Sequence, residues 1–267
     1  MFERVGMIGT GNMGSAVARA IHKSGLAKEL WLANRTRAKA EALAEELTGA
    51  QVCTNEEIVS NCDIIFLAVK PQIMESVLKE LKGALCQSQE RKVLVSMAAG
   101  LSCEKLSGML ELTTTWIRMM PNTPAAIGEG VVQYCGLWAT EEDLDAFAKL
   151  IAPCGLVDRV DEKLVDAASC VSGCGPAFAY LFMEALADGG VACGLPRDKA
   201  MEYAAQMLKG SADLLLTSGK HPGQLKDAVC SPGGTTIQGV RALEEGGFRA
   251  SVMNAVIKAY EKTVKLS

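Results

Sequence analysis

Residues 5–14 read Val-Gly-Met-Ile-Gly-Thr-Gly-Asn-Met-Gly, a short apolar run that leads directly into the pattern G-x-G-x-x-G. The apolar run is typical of a buried strand, and helical spacing begins at Asn12 and continues to Ser24. Glycines at this spacing permit a tight turn, admit a pyrophosphate close to the backbone and let the helix pack on the strand. Free N–H groups at the helix start would bind the phosphates. The strand–loop–helix context favours a dinucleotide-binding loop over a tight turn without a ligand.

Strand-like and helix-like segments alternate beyond this loop. The predicted strands are Arg4–Ile8, Leu30–Ala33, Asp63–Val69, Val93–Ala98, Trp116–Met120 and Val131–Cys135, and the predicted helices are Asn12–Ser24, Ala38–Leu47 and Leu144–Ile151. This rhythm predicts an α/β fold with a Rossmann-type, doubly wound parallel sheet and helices on both of its faces.

From about Val160 onward only helical patterns occur. They cover Ala177–Ala187, Arg197–Leu216, Thr235–Glu245 and Arg249–Lys265. We therefore predict an α/β domain, which carries the dinucleotide loop, over residues 1–160 and an all-helical domain over residues 161–267. Leu181, Phe182 and Met183 give one helix apolar character around most of its circumference, which requires cover on several sides. A second copy of the chain would supply that cover, so we expect a homodimer or a higher homo-oligomer.

The composition excludes several classes of partner and site. The 267 residues carry a net charge of -4, which gives no electrostatic reason to expect nucleic acid or an anionic membrane. The 10 cysteines are scattered singly and only two histidines occur, which predicts no metal site and free thiols in a reducing compartment. The sequence opens on a strand pattern, which predicts no signal segment, and we expect no uncharged apolar run to be long enough to cross a bilayer. We expect a soluble, cytoplasmic protein.

The end of the second predicted strand selects the cofactor. An NAD-binding site usually carries Asp or Glu here, whereas this chain has Asn34, Arg35, Thr36 and Arg37. Arginine and threonine side chains can bind a 2′-phosphate, which a carboxylate would repel. The stretch predicts NADPH as the cofactor, with NADH as the alternative, and a solvated basic turn is the competing interpretation.

Two further strand ends lie at the same expected edge of the sheet. Ala68–Val69–Lys70–Pro71 follows one strand, and Met97–Ala98–Ala99–Gly100 follows the next. Ligands of open α/β sheets bind beyond the carboxyl ends of the strands. Backbone groups and small side chains here would line the nicotinamide and its ribose, although each stretch alone is also typical of an ordinary strand end.

A second anion site is predicted in the helical part. Residues 231–236 read Ser-Pro-Gly-Gly-Thr-Thr and precede a helix, so backbone N–H groups and three hydroxyls would face a small carboxylate. The alternative is a plain N-cap with a turn. Residues 172–177, Ser-Gly-Cys-Gly-Pro-Ala, are more typical of an ordinary helix start.

The lack of certain catalytic residue types restricts the reactions that this chain can catalyse. His22 and His221 are placed on a cofactor-side helix and beside a Pro-Gly turn, which argues against a Ser-His-Asp set. No lysine follows Gly175 on the predicted helix, where a hydroxyacid dehydrogenase of similar layout would carry its catalytic lysine. Hydride transfer to an already protonated imine needs little acid–base help from the protein and suits this set of residues.

Several motifs occur together in the order typical of one family. They are the GxGxMG-like loop, AVKP at 68–71, MPNTP at 120–124, SGCGPA at 172–177, HPGQLKD at 221–227 and the signature LKDAVCSPGGTTIQGVRALE at 225–244. Over essentially its whole length the chain resembles the pyrroline-5-carboxylate reductases. The resemblance implies a Rossmann domain, an interlocking helical domain, and NADPH-dependent reduction of 1-pyrroline-5-carboxylate to L-proline, the last step of proline biosynthesis.

The resemblance also implies roles for individual residues. Thr236 would hydrogen-bond the ring nitrogen, and Glu162 would lie near the nicotinamide and the substrate. The substrate carboxylate would be bound by Ser231, Gly233, Gly234 and Thr235. The cofactor would be contacted by Ile8, Gly9, Thr10, Gly11, Asn12, Met13, Asn34, Arg35, Thr36, Asn55, Ala68, Val69, Lys70, Pro71, Met97, Ala98 and Ala99. Cys174 stands where the family commonly has serine, which alters packing more than chemistry.

Two other interpretations are retained. A β-hydroxyacid dehydrogenase shares the loop and a helical second domain, but the missing lysine argues against it. A non-catalytic NADPH-binding sensor would need no second anion pocket.

Overall fold

The computed structural model describes residues 2–265 and contains one eight-stranded sheet. The strands are β1 (Arg4–Ile8), β2 (Glu29–Ala33), β3 (Gln51–Val52), β4 (Ile64–Leu67), β5 (Val93–Ser96), β6 (Thr115–Pro121), β7 (Gly130–Leu137) and β8 (Gly155–Arg159). The helices are α1 (Asn12–Ser24), α2 (Arg37–Glu46), α3 (Asn55–Asn61), α4 (Pro71–Gln87), α5 (Cys103–Leu110), α6 (Glu141–Ile151), α7 (Glu162–Ser172), α8 (Gly175–Ala192), α9 (Arg197–Ser218), α10 (Pro222–Ala228), α11 (Thr235–Glu245) and α12 (Phe248–Val264).

The strand order is β3-β2-β1-β4-β5-β6-β7-β8, and neighbouring strands from β3 through β6 are parallel. The order reverses direction between β1 and β4, which opens a crevice at the carboxyl edge of the sheet where ligands of such folds bind. The predicted Rossmann-type fold is confirmed in this part of the chain.

The far side of the sheet differs from the prediction of parallel strands. β7 runs antiparallel to β6, and β8 then runs parallel to β7. Only a short 3₁₀ turn, Thr123–Ile127, links β6 to β7, and this is too short for the crossover that a parallel pair requires.

Both faces of the sheet are covered by apolar helices. Val5 and Met7 of β1 pack into one core with α1, α2 and α6, while Ile65 and Leu67 of β4 face the opposite core with α3, α4 and α5. Covering both faces explains why β4 is a continuous apolar run instead of an alternating one.

The chain divides into two compact units at a position different from the predicted boundary at 160/161. The first unit runs to Cys174 and takes up the chain again from Ala259, and the second is Gly175–Lys258. α7 stays with the first unit because it packs against β6 and β7. Near the end of α12, the Thr263 hydroxyl lies 3.8 Å from the Cys170 sulfur, also within the first unit.

The second unit is helical, and within a single chain it has little buried apolar core. α8 packs on α9 with Gly190 against Ala200, and the rings of Phe182 and Phe248 lie 5.8 Å apart. Among its described residues, however, the buried hydrophobic side chains are the three alanines Ala187, Ala200 and Ala204. Three alanines bury too little apolar surface to stabilise five helices, so the larger exposed apolar side chains require cover.

One helical run, Glu162–Ala192, is long and apolar enough to cross a membrane by length and composition. The expectation that no apolar run is long enough is therefore wrong for this stretch, because the run combines α7 and α8 across the turn at 173–174. Only 11% of its most apolar window is buried within the chain, so the run calls for an apolar partner of some kind.

Candidate active site

The loop after β1 is held in a conformation that requires its first glycine. Gly9 has φ of +103°, and its N–H donates to the Ala33 carbonyl at the end of β2 at 2.8 Å. A side chain at Gly14 would place a Cβ 2.0 Å from the Gly9 carbonyl oxygen. These two glycines therefore serve the turn and the packing of α1 on β1.

Gly11 has a different role. It is the N-cap of α1 in extended backbone conformation, and nothing lies within 4 Å of the place where its Cβ would be. The protein itself does not require glycine here, so the open space is suited to a group that approaches the helix N-terminus.

The start of α1 is suited to the pyrophosphate of a dinucleotide. Among the described residues, no side chain caps this helix, and its first turn carries no acidic residue. The Thr10 hydroxyl is buried and has no hydrogen-bond partner within the described chain. Phosphate oxygens accept hydrogen bonds, and the unpartnered hydroxyl and the uncapped N–H groups here are suitable donors.

Asn34 ties this loop to the end of β2. Its Oδ1 accepts from the Thr10 N–H, and its Nδ2 donates to the Thr36 carbonyl, both at 3.0 Å. Both ends of the amide are thus used within the protein. Arg35 is exposed and makes no hydrogen bond or ion pair among the described residues, whereas Arg37 pairs with Glu41 at 2.8 Å. Arg35 is therefore the free cation at this strand end.

The other predicted cofactor residues lie at the carboxyl ends of their strands. Ala68 follows β4, where its N–H donates to Ile8, and Val69 comes next. Lys70 is the N-cap of α4, with Pro71 in the first turn. Met97, Ala98 and Ala99 follow β5, although the Ala98 side chain is itself buried.

Asn55 begins α3 after β3, but its side-chain amide donates to Glu80 at 2.9 Å. The predicted cofactor contact of Asn55 would require this hydrogen bond to be shared or exchanged.

In the second unit, the predicted anion loop precedes α11. The N-cap is Gly234, whose N–H donates to the Ser231 carbonyl at 3.0 Å, and Gly233 has φ of +71°. No described side chain caps this helix, unlike α3, α5 and α6, which are capped by Thr54, Ser102 and Thr140. The Ser/Thr side-chain cap weighed as an alternative does not form. The first N–H groups of α11 are left for a ligand.

The hydroxyls at this turn are accessible. Ser231, Thr235 and Thr236 are exposed. The hydroxyls of Thr235 and Thr236 make no hydrogen bond to other described residues. A small carboxylate can therefore approach both the N–H groups and the hydroxyls of the α11 N-terminus without breaking an existing interaction.

Glu162, the first residue of α7, lies beside the segment that follows β5. Its Oε1 accepts from the Cys103 N–H at 2.7 Å and lies 3.9 Å from the Arg118 guanidinium. The carboxylate thus holds the start of α5, four residues beyond Ala99. Sequence reasoning missed Arg118, which is 2% exposed, hydrogen-bonded to Asp166 and unpartnered at Nε among the described residues. A single arginine inside the apolar strand β6 was the available signal.

Two thiols lie next to the Glu162 carboxylate. Cys103, Cys135 and Glu162 each place one ligand atom within 4.8 Å of the others. A hydrogen bond between the two thiols lowers the pKa of Cys135 and raises that of Cys103. The spacing of single cysteines along the chain did not predict this group, because the three residues come from α5, β7 and α7.

Two sequence motifs meet inside the first unit. The Asn122 amide of MPNTP donates to the Ser172 carbonyl at 2.9 Å, and its Oδ1 accepts from the Val131 N–H. Gln133 donates to the Ser172 hydroxyl at 3.0 Å. These bonds hold the beginning of SGCGPA against β7, so both motifs have a structural role here.

Family models match both parts of the chain. A model described as pyrroline-5-carboxylate reductase dimerisation matches residues 162–266. A model described as NADP oxidoreductase, coenzyme F420-dependent, matches residues 4–100. The first match begins at Glu162, near the predicted boundary and before the break in packing at Gly175.

Curated relatives match over the full length. The pyrroline-5-carboxylate reductase of Arabidopsis thaliana is 43% identical, covering 99% of this chain and 95% of the relative. That of Escherichia coli (strain K12) is 40% identical, covering 100% and 99%. A crystal structure of Plasmodium falciparum pyrroline carboxylate reductase with NADP bound has a TM-score of 0.88 at 36% identity, covering 99% of this chain and 98% of that one. Full-length identity at this level, with the same fold, places the chain in the pyrroline-5-carboxylate reductase family.

Proposed function

We propose that this chain reduces 1-pyrroline-5-carboxylate to L-proline with NADPH, the final step of proline biosynthesis. The observation that carries the proposal is that enzymes named pyrroline-5-carboxylate reductase are about 40% identical to this chain over its full length. The NADP named in the Plasmodium falciparum structure and the NADP oxidoreductase family model support the cofactor.

The first unit would hold the cofactor. The open space at Gly11, the orphaned Thr10 hydroxyl and the uncapped start of α1 would receive the pyrophosphate, together with the other residues of the loop, Ile8–Met13. Arg35 and Thr36 would bind the 2′-phosphate, and Asn34 would hold the loop in place. The segments after β4 and β5 would line the nicotinamide and its ribose. When bound, NADPH supplies the hydride.

The second unit would hold the substrate. The N–H groups of Gly233 and Thr235 and the Ser231 hydroxyl would bind the carboxylate, which the dipole of α11 also favours. Gly234 would bring its backbone close to the carboxylate, while its N–H continues to donate to the Ser231 carbonyl. Thr236 would hydrogen-bond the ring nitrogen and orient the imine carbon. Protonation of that nitrogen makes the carbon a better hydride acceptor, so the residues mainly position the reactants. Glu162 would contact the substrate through its carboxylate, although one oxygen of that carboxylate, Oε1, already accepts from the Cys103 N–H.

We propose a homodimer through the helical unit, or a higher homo-oligomer built from it. A groove of about 560 Å³ in this unit is lined almost entirely by apolar side chains, among them Phe182, Leu186 and Phe248. The printed description of the family model that covers this region is dimerisation. A second copy would cover the apolar residues of α8 without any membrane.

We also propose a cytoplasmic location. All 10 cysteines are free thiols, which suits a reducing compartment.

Product analysis tests the reaction. The protein is incubated with racemic pyrroline-5-carboxylate and NADPH, and the products are separated on a chiral column. Formation of L-proline in proportion to NADPH consumed supports the proposal. NADPH binding without product would favour the sensor, and turnover of a β-hydroxyacid instead would favour the dehydrogenase.

A further inference from the structure

Cys103, Cys135 and Glu162 form a group that lies apart from the dinucleotide loop in sequence, and its two thiols have no assigned task in the reaction. Its members come from three elements, α5, β7 and α7, that meet on one face of the sheet. Two sulfurs and one carboxylate oxygen lie within 4.8 Å of one another. Two thiols and a carboxylate are a donor set that Zn²⁺ prefers.

We propose that Cys103, Cys135 and Glu162 bind one soft divalent cation of the Zn²⁺ class.

The spacing of the donors fits such an ion. Zn–S bonds of about 2.3 Å and Zn–O bonds of about 2.1 Å in a tetrahedral arrangement separate ligand atoms by roughly 3.5–3.8 Å. The three atoms are already within 4.8 Å, so side-chain adjustments of about an ångström would bring them to these separations. The Glu162 carboxylate is already oriented by the Cys103 N–H at 2.7 Å, which is the kind of support that outer hydrogen bonds give to metal ligands.

An entry path leads to the group. Cys103 is fully buried and Cys135 is 6% exposed, but Cys135 and Glu162 both line a cavity of about 530 Å³. The cavity would admit the ion and leave room for a water molecule as the fourth ligand. Three protein ligands with a fourth, open position is a common coordination for Zn²⁺.

The charges are also compatible with a cation. Two arginines lie nearby, and both are already paired. The Arg118 guanidinium lies 3.9 Å from Glu162 and is hydrogen-bonded to Asp166, and Arg159, which lines the same cavity, pairs with Glu141. Replacing the two thiol protons with one divalent cation leaves the net charge of the group unchanged. Binding therefore introduces no additional charge into this partly buried region.

Cobalt provides the test, because Co²⁺ bound by thiolates absorbs strongly in the near ultraviolet and a tetrahedral site also absorbs in the visible. The full-length protein is reduced, freed of metal and titrated with Co²⁺ without oxygen, and Zn²⁺ is then added. We expect both sets of bands to saturate at one Co²⁺ per chain and to disappear as Zn²⁺ displaces the cobalt. No substrate is present, so the result is independent of whether the reductase activity is found.

Single variants locate the site. Cys103→Ala and Cys135→Ala should each weaken Co²⁺ binding by about 100-fold or more, the upper end of what removal of a supporting group alone produces. Cys154→Ala is the matched control, because Cys154 is equally buried in the first unit but lies outside the group. Circular dichroism melting curves identify any variant that does not fold.

A second measurement uses the wild-type protein alone. Peptide mapping follows maleimide modification of each cysteine with and without Zn²⁺, with exposed Cys86 and Cys193 as references. The site is supported if Zn²⁺ slows the modification of Cys103 and Cys135 relative to their own rates without Zn²⁺, while the rates of the two references stay unchanged. The proposal is overturned if reduced wild-type protein shows no cobalt bands, if the bands persist in both variants, or if Zn²⁺ protects neither thiol. A Cys103–Cys135 disulfide that forms readily, with no cobalt binding after reduction, would likewise overturn it in favour of a redox pair.

Discussion

Asn34 lies at the end of β2, as the sequence predicts, but its side-chain amide is hydrogen-bonded within the protein through both its oxygen and its nitrogen. It stands where a carboxylate would bind the ribose of NAD, but its amide joins the Thr10 N–H to the Thr36 carbonyl. The sequence predicts the absence of a carboxylate and the nearby arginines. It does not show that the amide is occupied within the chain, because that depends on how two loops approach one another.

Arg35 should therefore determine the preference for NADPH. We expect Arg35→Ala to lower kcat/KM with NADPH by about 10-fold, the lower end for loss of a charge-assisted hydrogen bond, and to leave the value with NADH almost unchanged. Initial rates at varied cofactor concentration measure both. Arg19→Ala is the control, because Arg19 is also a partly exposed arginine but pairs with Glu46. Equal losses with the two cofactors would contradict the assignment.

Thr236 should contribute to turnover more than to folding. Because its hydroxyl is exposed, Thr236→Ala should change the free energy of unfolding by less than about 0.5 kcal/mol. We expect kcat to fall by ~10²-fold, since the ring nitrogen loses its positioned partner. Steady-state kinetics give kcat and KM separately, and Thr236→Ser should restore most of the activity. Unchanged kcat in the alanine variant would rule out this role.

At the scale of elements, the same substitution should have different effects at the N-cap of α1 and in its first turn. Gly11→Ala should fold normally but bind NADPH at least about 10-fold more weakly, because the new methyl group occupies the space open to the pyrophosphate. Gly14→Ala should lose about 3 kcal/mol of stability, because its Cβ would lie 2.0 Å from the Gly9 carbonyl oxygen. Urea unfolding and fluorescence titration with NADPH separate the two effects. Wild-type NADPH affinity in Gly11→Ala would contradict the pyrophosphate site.

The N-terminus of α6 should make stability depend on acid pH. Asp143 is buried, pairs with Arg91 and also accepts from the Thr140 N–H; chiefly the hydrogen bond with Arg91, and then that with Thr140, lowers its pKa to about 2. The folded carboxyl group binds protons less readily than the unfolded one, so its contribution is complete above about pH 5 and declines as the pH falls toward 2.

Asp143→Ala should therefore cost about 2 kcal/mol at pH 7. The difference from wild type should shrink to about half near pH 3, as shown by urea unfolding at a series of pH values. Glu141→Ala is the matched control, because its pair with Arg159 lies on the exposed surface and should contribute little to stability at any pH. A pH-independent difference would show that Asp143 acts through packing alone.

Helices and strands with a clear hydrophobic pattern and marked ends could be predicted from the sequence. Features that depend on packing against other elements could not. β1, α1 and α11 have the predicted bounds, because a strand–glycine–helix pattern and a Gly-Gly turn mark their ends. β8 and α3 were not predicted. The direction of β7 depends on the short link before it, and α7 joins the first unit because of its packing on β6 and β7. In the site, the main-chain loops were predictable from sequence, whereas the meeting of Cys103, Cys135 and Glu162 requires three distant elements.

At the scale of the whole molecule, the helical unit should be unstable without a second copy. Leu181→Asp places a charge on an exposed apolar position of α8, and we expect the dimer to dissociate or the unit to unfold. Light scattering at several concentrations and circular dichroism distinguish these outcomes. Leu26→Asp, on an exposed apolar position of the first unit, should leave the oligomer unchanged. A wild-type monomer at working concentration would refute the dimer.

The most direct measurement is the initial rate of reduced-nicotinamide absorbance loss with pyrroline-5-carboxylate, recorded with NADPH and then with NADH. We predict fast, saturable oxidation with both substrates varied, and a higher kcat/KM with NADPH. Fast oxidation with NADH alone would retain the reaction but contradict the role given to Arg35. Absence of oxidation with either cofactor, in protein that binds NADPH, would contradict the proposed function itself.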